Sequence, residues 1–248
     1  MVNFFLFILG AIVGSFLGML TYRLPLGLAL TGRSKCTRCK KTIEWRDNIP
    51  IFGYFLLGGR CRSCKKPFGI RYPLIELISA LSFVVVGYFA QNLWEGFFLI
   101  AFTSISLALL VIDLEHKILP DILILLLGVL VFLFILTLPS PQIFTHLLSG
   151  FGAFLFFLAI YLLTRGRGMG FGDVKLSFVL GMFLGYPNTI LWLFLAFVSG
   201  ALVGVILLIL GRAGFKHELA FGPYLLAAAW VTYFWGNAIL NKYAQVAF

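Results

Sequence analysis

The chain carries only nine Asp and Glu residues among 248. Four of them, Glu76, Asp113, Asp121 and Asp173, stand in or beside long apolar runs. A carboxylate at membrane depth is costly, so it faces a partner or a water-filled cavity and marks a candidate site. Asp113 closes one run in Val111-Ile112-Asp113-Leu114, and Asp173 opens another in Gly170-Phe171-Gly172-Asp173-Val174-Lys175. Two carboxylates close together in a low-dielectric site share a proton and titrate as a pair. Such a pair can hydrolyse an amide: one member takes a proton from water, and the protonated partner supplies the carbonyl oxygen and then the leaving amine. Gly170 and Gly172 remove side chains on either side of Phe171, which opens Asp173 to a substrate backbone. Plainer roles compete, with Asp113 pairing to Lys117 four residues on and Asp173 capping the helix that follows. Asp121, after Pro120, reads as an N-cap or a dipole contact. Glu76 either forms a salt bridge with Arg71 or binds a positive group of a substrate near the pair.

All four cysteines lie in one loop, as Cys36-Thr37-Arg38-Cys39 and Cys61-Arg62-Ser63-Cys64, with 21 residues between the pairs. This is zinc-ribbon spacing: each CxxC turn places two thiolates on one tetrahedral ion. Lys35, Arg38, Lys40, Arg60, Arg62 and Lys65 flank the pairs and lower the cost of keeping four thiolates charged. Two disulfides are the alternative, disfavoured in a reducing compartment. A closed set of four thiolates leaves no open position for water, so the expected zinc is a structural staple.

The elements that must position these groups are helices in a membrane. Hydrophobic residues make up 61% of the chain and charged ones 11%, and mean hydropathy is +1.04, which excludes an ordinary soluble domain. Apolar runs predict spans at 3–21, 73–90, 96–112, 122–138, 146–164, 174–186, 189–210 and 222–235. The first has no basic n-region and reads as a retained span. The sixth is short and interrupted by glycine, so it is expected to be buried or broken, and a count of seven stays open. The fold class is therefore an all-α polytopic membrane protein of about eight transmembrane helices with a small cytoplasmic zinc-ribbon-like loop domain. Residues 1–22 form the first span, 23–72 the cysteine-rich loop and 73–248 the polytopic remainder.

Twelve of the 19 Lys and Arg residues fall between Arg23 and Arg71. Lys117, Arg165, Arg167, Lys175, Arg212 and Lys216 join them on one face in an eight-span topology, leaving only Lys242 opposite. The positive-inside rule makes that face cytoplasmic, so the net charge of +10 reflects topology, and no nucleic-acid partner is expected. A proton or cation transporter lined by Asp113, Asp173 and Glu76 would place its carboxylates near the midplane within inverted repeats. Here the aspartates sit at span ends and no repeat is evident. A scaffold whose zinc loop docks a partner is the third reading.

An ordered set of short blocks resembles the type IV prepilin peptidases, bifunctional leader peptidases and N-methyltransferases of bacterial pilus, type II secretion and competence systems. The blocks are Gly14-Ser15-Phe16-Leu17, Arg23-Leu24-Pro25, both CxxC pairs, Asp47-Asn48-Ile49-Pro50, Gly59-Arg60-Cys61-Arg62, Arg71-Tyr72-Pro73-Leu74-Ile75-Glu76, Ile112-Asp113, Leu119-Pro120-Asp121, Gly170 to Lys175 and Phe221-Gly222-Pro223. The resemblance implies that Asp113 and Asp173 are the catalytic pair of a GXGD-type intramembrane aspartyl peptidase, with Gly170, Gly172, Lys175 and Glu76 as substrate contacts. It implies a prepilin or pseudopilin substrate, engaged through its N-terminal hydrophobic helix and cut after a glycine that ends a basic leader. It also implies methylation of the new amino terminus from S-adenosylmethionine, and a location in the bacterial cytoplasmic (inner) membrane with the site facing the cytoplasm. One departure is Gly53 before Tyr54, where many members have serine. The residues alone show no methyltransferase fold, since no strand and glycine-rich turn occurs among the spans.

Overall fold

A computed structural model describes residues 2–36, 38–211 and 220–247. Thr37 of the first cysteine pair and the basic residues Arg212 and Lys216 lie outside them. The elements are α1 (Val2–Arg23), α2 (Phe52–Leu56), α3 (Arg71–Phe89), α4 (Leu93–His116), α5 (Asp121–Ile135), α6 (Ser140–Leu163), α7 (Phe171–Leu184), α8 (Asn188–Ile209) and α9 (Gly222–Ala247). Apart from the one-and-a-half-turn α2, these are the eight apolar runs read from the sequence. Helices α1, α3, α4, α6 and α8 are long and apolar enough to cross a bilayer by length and composition. With 15 and 14 residues, α5 and α7 reach only about 22 and 21 Å, short of a hydrocarbon core of about 30 Å. α9 is longer, but its second half carries Asn237, Asn241, Lys242 and Gln245. The chain is a multi-pass membrane protein.

It divides into two units, Met1–Ala108 and Leu109–Phe248. In the first, α1 packs along α3. Lipid tails are as apolar as leucine, so close packing rather than apolar burial holds membrane helices together. Gly10, Gly14 and Gly18 supply it: a Cβ on Gly10 would lie 2.7 Å from Ala80 Cα, and one on Gly14 would lie 2.6 Å from Glu76 Cα. Arg71 fastens the loop end of the pair by donating to Gly18 O at 2.9 Å and Thr21 Oγ1 at 2.8 Å.

In the second unit α7 is the central helix, with ten of its 14 residues buried. This bears out the buried alternative for the sixth run. It is not broken, because its glycine serves contact: a Cβ on Gly181 would meet Ser149 O at 2.8 Å, and one on Gly150 of α6 would meet Phe178 O at 2.9 Å. Trp192 of α8 is fully buried and donates its Nε1–H to Leu225 O of α9 at 2.8 Å, a bond worth about 0.6–2 kcal/mol between membrane helices.

Candidate active site and metal centre

Helix α4 runs one turn past Asp113 and stops at His116 because Lys117 takes a left-handed backbone, φ 55°, with its N–H returning to Asp113 O at 2.9 Å. Four residues later α5 begins, so the short connection from α4 to α5 carries Leu119 and Pro120. Asp173 enters from α7, at the third position after the N-cap residue Gly170. Both carboxylates are buried, with Asp113 4% and Asp173 7% exposed, and they lie within electrostatic reach of one another. Leu119 lies between their supports: a Cβ on Gly172 would come within 3.0 Å of Leu119 Cβ, and one on Gly222 within 3.5 Å of Leu119 Cδ1.

The plainer roles are not taken up. Asp113 makes no ion pair with Lys117 among the described residues, because the left-handed Lys117 leaves the helical register that an i,i+4 pair needs. Asp173 does not cap α7 through a side-chain hydrogen bond, since Gly170 holds the cap position. The Gly170 N–H instead faces its carboxylate, the reach-back half of a capping box. Asp121 is not a cap either: Pro120 holds that position, and Asp121, in the first turn of α5, pairs with Lys175 of α7. Its expected contact with the helix dipole does hold.

One oxygen on each central aspartate, Asp113 Oδ2 and Asp173 Oδ1, is buried with no hydrogen-bond partner. A buried carboxylate oxygen left unpaired costs about 1–3 kcal/mol or more, and such groups are retained where they act. The glycines around them differ. Gly170 is exposed, and a Cβ there would sit in ordinary contact, 3.6 Å from Asp173 Oδ2, so its bareness leaves the approach to Asp173 open. Gly172 is bare for packing against Leu119. Gly222, at the start of α9, had no assigned role in the sequence. Its N–H approaches the Asp113 carboxylate, and a Cβ there would lie 2.5 Å from Asp113 Oδ2. The sequence signals were its place in the Phe221-Gly222-Pro223 block and a bare residue directly before Pro223 at a helix start. Lys175 is half-buried, engaged by Asp121, and lies 5.4 Å from the Phe171 ring centroid.

The cysteine loop belongs to the first unit and repeats one turn twice. Cys36 N–H donates to Lys41 O and Lys40 N–H to Cys36 O, both at 2.9 Å; Cys61 with Lys66, and Lys65 with Cys61, repeat both bonds at 2.9 Å. Lys40 and Lys65 are both left-handed, at φ 60° and 57°. Isolated bridges Lys35–Thr42 and Arg60–Pro67 close each turn. Sγ atoms of Cys36 and Cys64 are 3.9 Å apart, those of Cys39 and Cys61 are 4.0 Å apart, and all four lie within 4.8 Å of one another. A tetrahedron with Zn–S of about 2.3 Å has S···S edges of about 3.8 Å, so the four cysteines are placed to bind a metal. Backbone N–H groups of Cys39 and Arg38 pull the Cys36 thiol down to about 6, and those of Cys64 and Ser63 pull Cys61 down as well. Thiolates are the metal-binding form.

Asp47 braces the second turn: Arg62 Nε and Nη2 donate to its two oxygens at 2.9 and 2.6 Å, and Arg62 holds its carboxyl below the usual range. Gly53 sits against the Asp47 carbonyl with no room for a Cβ, so glycine rather than serine fits this loop as it is folded. Glu76, also in the first unit, does not take up the first of its two readings, a salt bridge with Arg71. Arg71 is turned to α1, and Glu76 Oε2 accepts from the Ile51 N–H at 2.7 Å.

Residues 8–90 match the bacterial peptidase A24 N-terminal domain and residues 100–205 the type IV leader peptidase family. A Pseudomonas putida protein named prepilin leader peptidase/N-methyltransferase is 35% identical over 266 residues, covering 96% of this chain and 92% of its own. One of the same name from Pseudomonas aeruginosa is 35% identical, covering 97% and 92%, and one from Bacillus subtilis is 32% identical, covering 98% of each chain. No solved structure matches. With both halves matched in order and near-complete coverage on each side, the chain belongs to the type IV leader peptidase family, that of the prepilin leader peptidase/N-methyltransferases.

Proposed function

We propose that this protein is an intramembrane aspartyl peptidase that removes the basic leader of type IV prepilins or pseudopilins after a glycine, and then N-methylates the new amino terminus. The observation that carries the peptidase reading is the buried pair Asp113 and Asp173, each with one unpartnered oxygen. With one proton between them, the ionised member takes a proton from water as the water oxygen bonds to the scissile carbonyl carbon. The protonated member gives its proton to the carbonyl oxygen. Collapse of the tetrahedral diol breaks the C–N bond: the member that took the water's proton gives it to the leaving amine, and a diol hydroxyl gives its proton to the other member as the product carbonyl forms, which restores the shared proton. The open face at Gly170 admits the backbone to Asp173, Gly172 lets Leu119 pack onto α7, and Lys175 holds the mouth of the site with Asp121.

Residues 23–72 act as a zinc-binding domain, residues 1–22 as the first span and 73–248 as the polytopic peptidase domain. Cys36, Cys39, Cys61 and Cys64 hold one structural zinc. S-adenosylmethionine supplies the methyl group for the second activity, which the names of the relatives support. Glu76, buried and already receiving one backbone N–H, is the proposed contact for the substrate amine. The protein resides in the bacterial cytoplasmic membrane with the aspartate pair toward the cytoplasm, as the basic loops indicate.

Purified protein in lipid is incubated with a peptide carrying a basic leader, a glycine and an apolar helix. Asp113→Asn and Asp173→Asn each abolish the loss of leader mass, and the double variant is no worse than either, because the two act as one unit. Both variants keep the wild-type thermal transition. Substantial cleavage by either folded variant refutes the pair.

A further inference from the structure

Helix α2, in the cysteine loop of the first unit, is tied to a membrane span at a definite depth. The Ile51 N–H that precedes it donates to Glu76 Oε2 of α3 at 2.7 Å. Glu76 stands five residues past Arg71, about 7.5 Å of helix rise. It is level with Gly14, from which α1 continues nine residues, about 13 Å, before it ends at Arg23. A headgroup layer is about 5–8 Å deep on each face, so α2 starts at the boundary between headgroups and acyl chains. At that level α1 and α3 present Phe16, Leu74 and Leu77 as exposed apolar side chains, for which lipid is the solvent.

The segment suits that boundary. Phe52, Phe55 and Leu56, spaced i, i+3 and i+4 on one face, are 68, 72 and 79% exposed, while Gly53 is buried on the Asp47 carbonyl. The backbone N–H groups are spent inside the protein, as scarce water requires. Ile51 centres a γ-turn, φ 64° and ψ −57°, closed by Phe52 N–H on Pro50 O at 2.6 Å, and Gly53, Gly58 and Gly59 donate to Ile49 O, Phe55 O and Tyr54 O. A β-branched residue rarely takes that conformation, and its own N–H is the one Glu76 accepts. Around α2 the loop carries twelve basic residues from Arg23 to Arg71 against two acidic ones, Glu44 and Asp47, and Asp47 is already held by Arg62. Exposed Trp45 has the Arg46 guanidinium 5.3 Å from its ring centroid, a pairing of aromatic and cation suited to a membrane interface.

We propose that α2 is an interfacial membrane anchor: Phe52, Phe55 and Leu56 insert among the acyl chains at the headgroup boundary, and the basic residues of the loop meet anionic headgroups. The cysteine loop then lies on the bilayer rather than above it, held down by apolar side chains and by the bond from Ile51 to Glu76. Lipid is the occupant of this face because it lies at a depth where the neighbouring span residues already face lipid, and because the charge of the loop complements an anionic leaflet. The claim concerns the first unit alone and stands whether or not the peptidase reading holds.

A photo-crosslinking residue replaces Phe55 or Leu56 in the full chain, in vesicles of phosphatidylethanolamine and phosphatidylglycerol without peptide. Exposed Leu81 of α3 is the lipid-facing reference, and exposed Lys66 of the second cysteine turn is the water-facing one. The expected result is phospholipid adducts from 55 and 56 as from 81, and none from 66. Absence of lipid adducts from 55 and 56, or adducts to a second copy in their place, overturns the anchor. So does their replacement by peptide adducts once the leader–glycine–apolar-helix peptide is added. Phe55→Asp combined with Leu56→Asp gives the second measurement. Both side chains are exposed in the fold, so the change removes little internal packing, but it places two charges against lipid. Tryptic cleavage of the loop in vesicles then rises roughly tenfold or more as the lifted state gains population. An unchanged cleavage rate also overturns the anchor.

Discussion

A single methyl group at Gly222 tests whether the placement of Asp113 sets the rate. The Cβ of Gly222→Ala would lie 2.5 Å from Asp113 Oδ2, against about 3.4 Å for ordinary contact, so about 0.9 Å must be found. Asp113 is buried and its side chain short, so either the carboxylate turns away or the start of α9 retreats. Both change its position relative to Asp173. A misplacement of about 1 Å at a reacting group costs about 100-fold, or about 2.7 kcal/mol in the barrier. The fold survives, because overpacking of about 1–3 kcal/mol is partly offset by the helix preference of alanine over glycine, about 1 kcal/mol. The assay is single-turnover leader release read by mass spectrometry, with the thermal transition as the check on folding. Gly170→Ala is the contrast. Its Cβ falls 3.6 Å from Asp173 Oδ2 and displaces nothing, but it covers an exposed approach, so KM rises while kcat stays within about threefold. Should folded Gly222→Ala release leader within about threefold of wild type, the inference that this glycine fixes a catalytic carboxylate is wrong.

Metal analysis finds about one zinc per chain, and Cys36→Ser combined with Cys61→Ser loses it; two intact disulfides in the native protein reverse that assignment. These substitutions impair methylation or folding more than cleavage, so equal loss of both activities in a folded variant contradicts the division of labour. Reporter fusions place the residues near Lys40, Lys117 and Arg167 on the cytoplasmic side and those near Asn92, Ser140 and Asn241 opposite. Lys117 and Arg167 on different sides would separate the aspartates and end the peptidase reading.

Among the described residues the eight apolar helices were legible because lipid imposes a plain rule on sequence, an apolar run between charged or glycine- and proline-containing breaks. The metal turns were legible because CxxC spacing is itself the geometry of the ligands. Asp113 and Asp173 stood out as acids in apolar surroundings, although their meeting required topology and resemblance together. What escaped were contacts fixed by neighbours far along the chain. Asp121 looked like a cap because Pro120 precedes it, yet its partner Lys175 lies 54 residues away. A salt bridge to Arg71 was one of two readings of Glu76, yet the glycine face of α1 draws Arg71 to Gly18 and Thr21. The Gly10, Gly14, Gly18 repeat was a readable small-residue stripe, while the approach of Gly222 to Asp113 has no such periodicity.

Two lysines stand near the pair in sequence, Lys117 and Lys175, and among the described residues neither forms an ion pair with it. A lysine bound to either aspartate would hold it ionised and end the sharing of one proton. Lys117, at the right spacing for Asp113, is turned out of register by the left-handed residue that ends α4. Lys175, two residues from Asp173, points elsewhere because positions i and i+2 do not share a helix face, and Asp121 engages it there. The two aspartates are thereby left to each other and to two glycine amides. The Leu119-Pro120-Asp121 turn thus carries two separate contacts: Leu119 packs toward Gly172 and Gly222, and Asp121 pairs with Lys175.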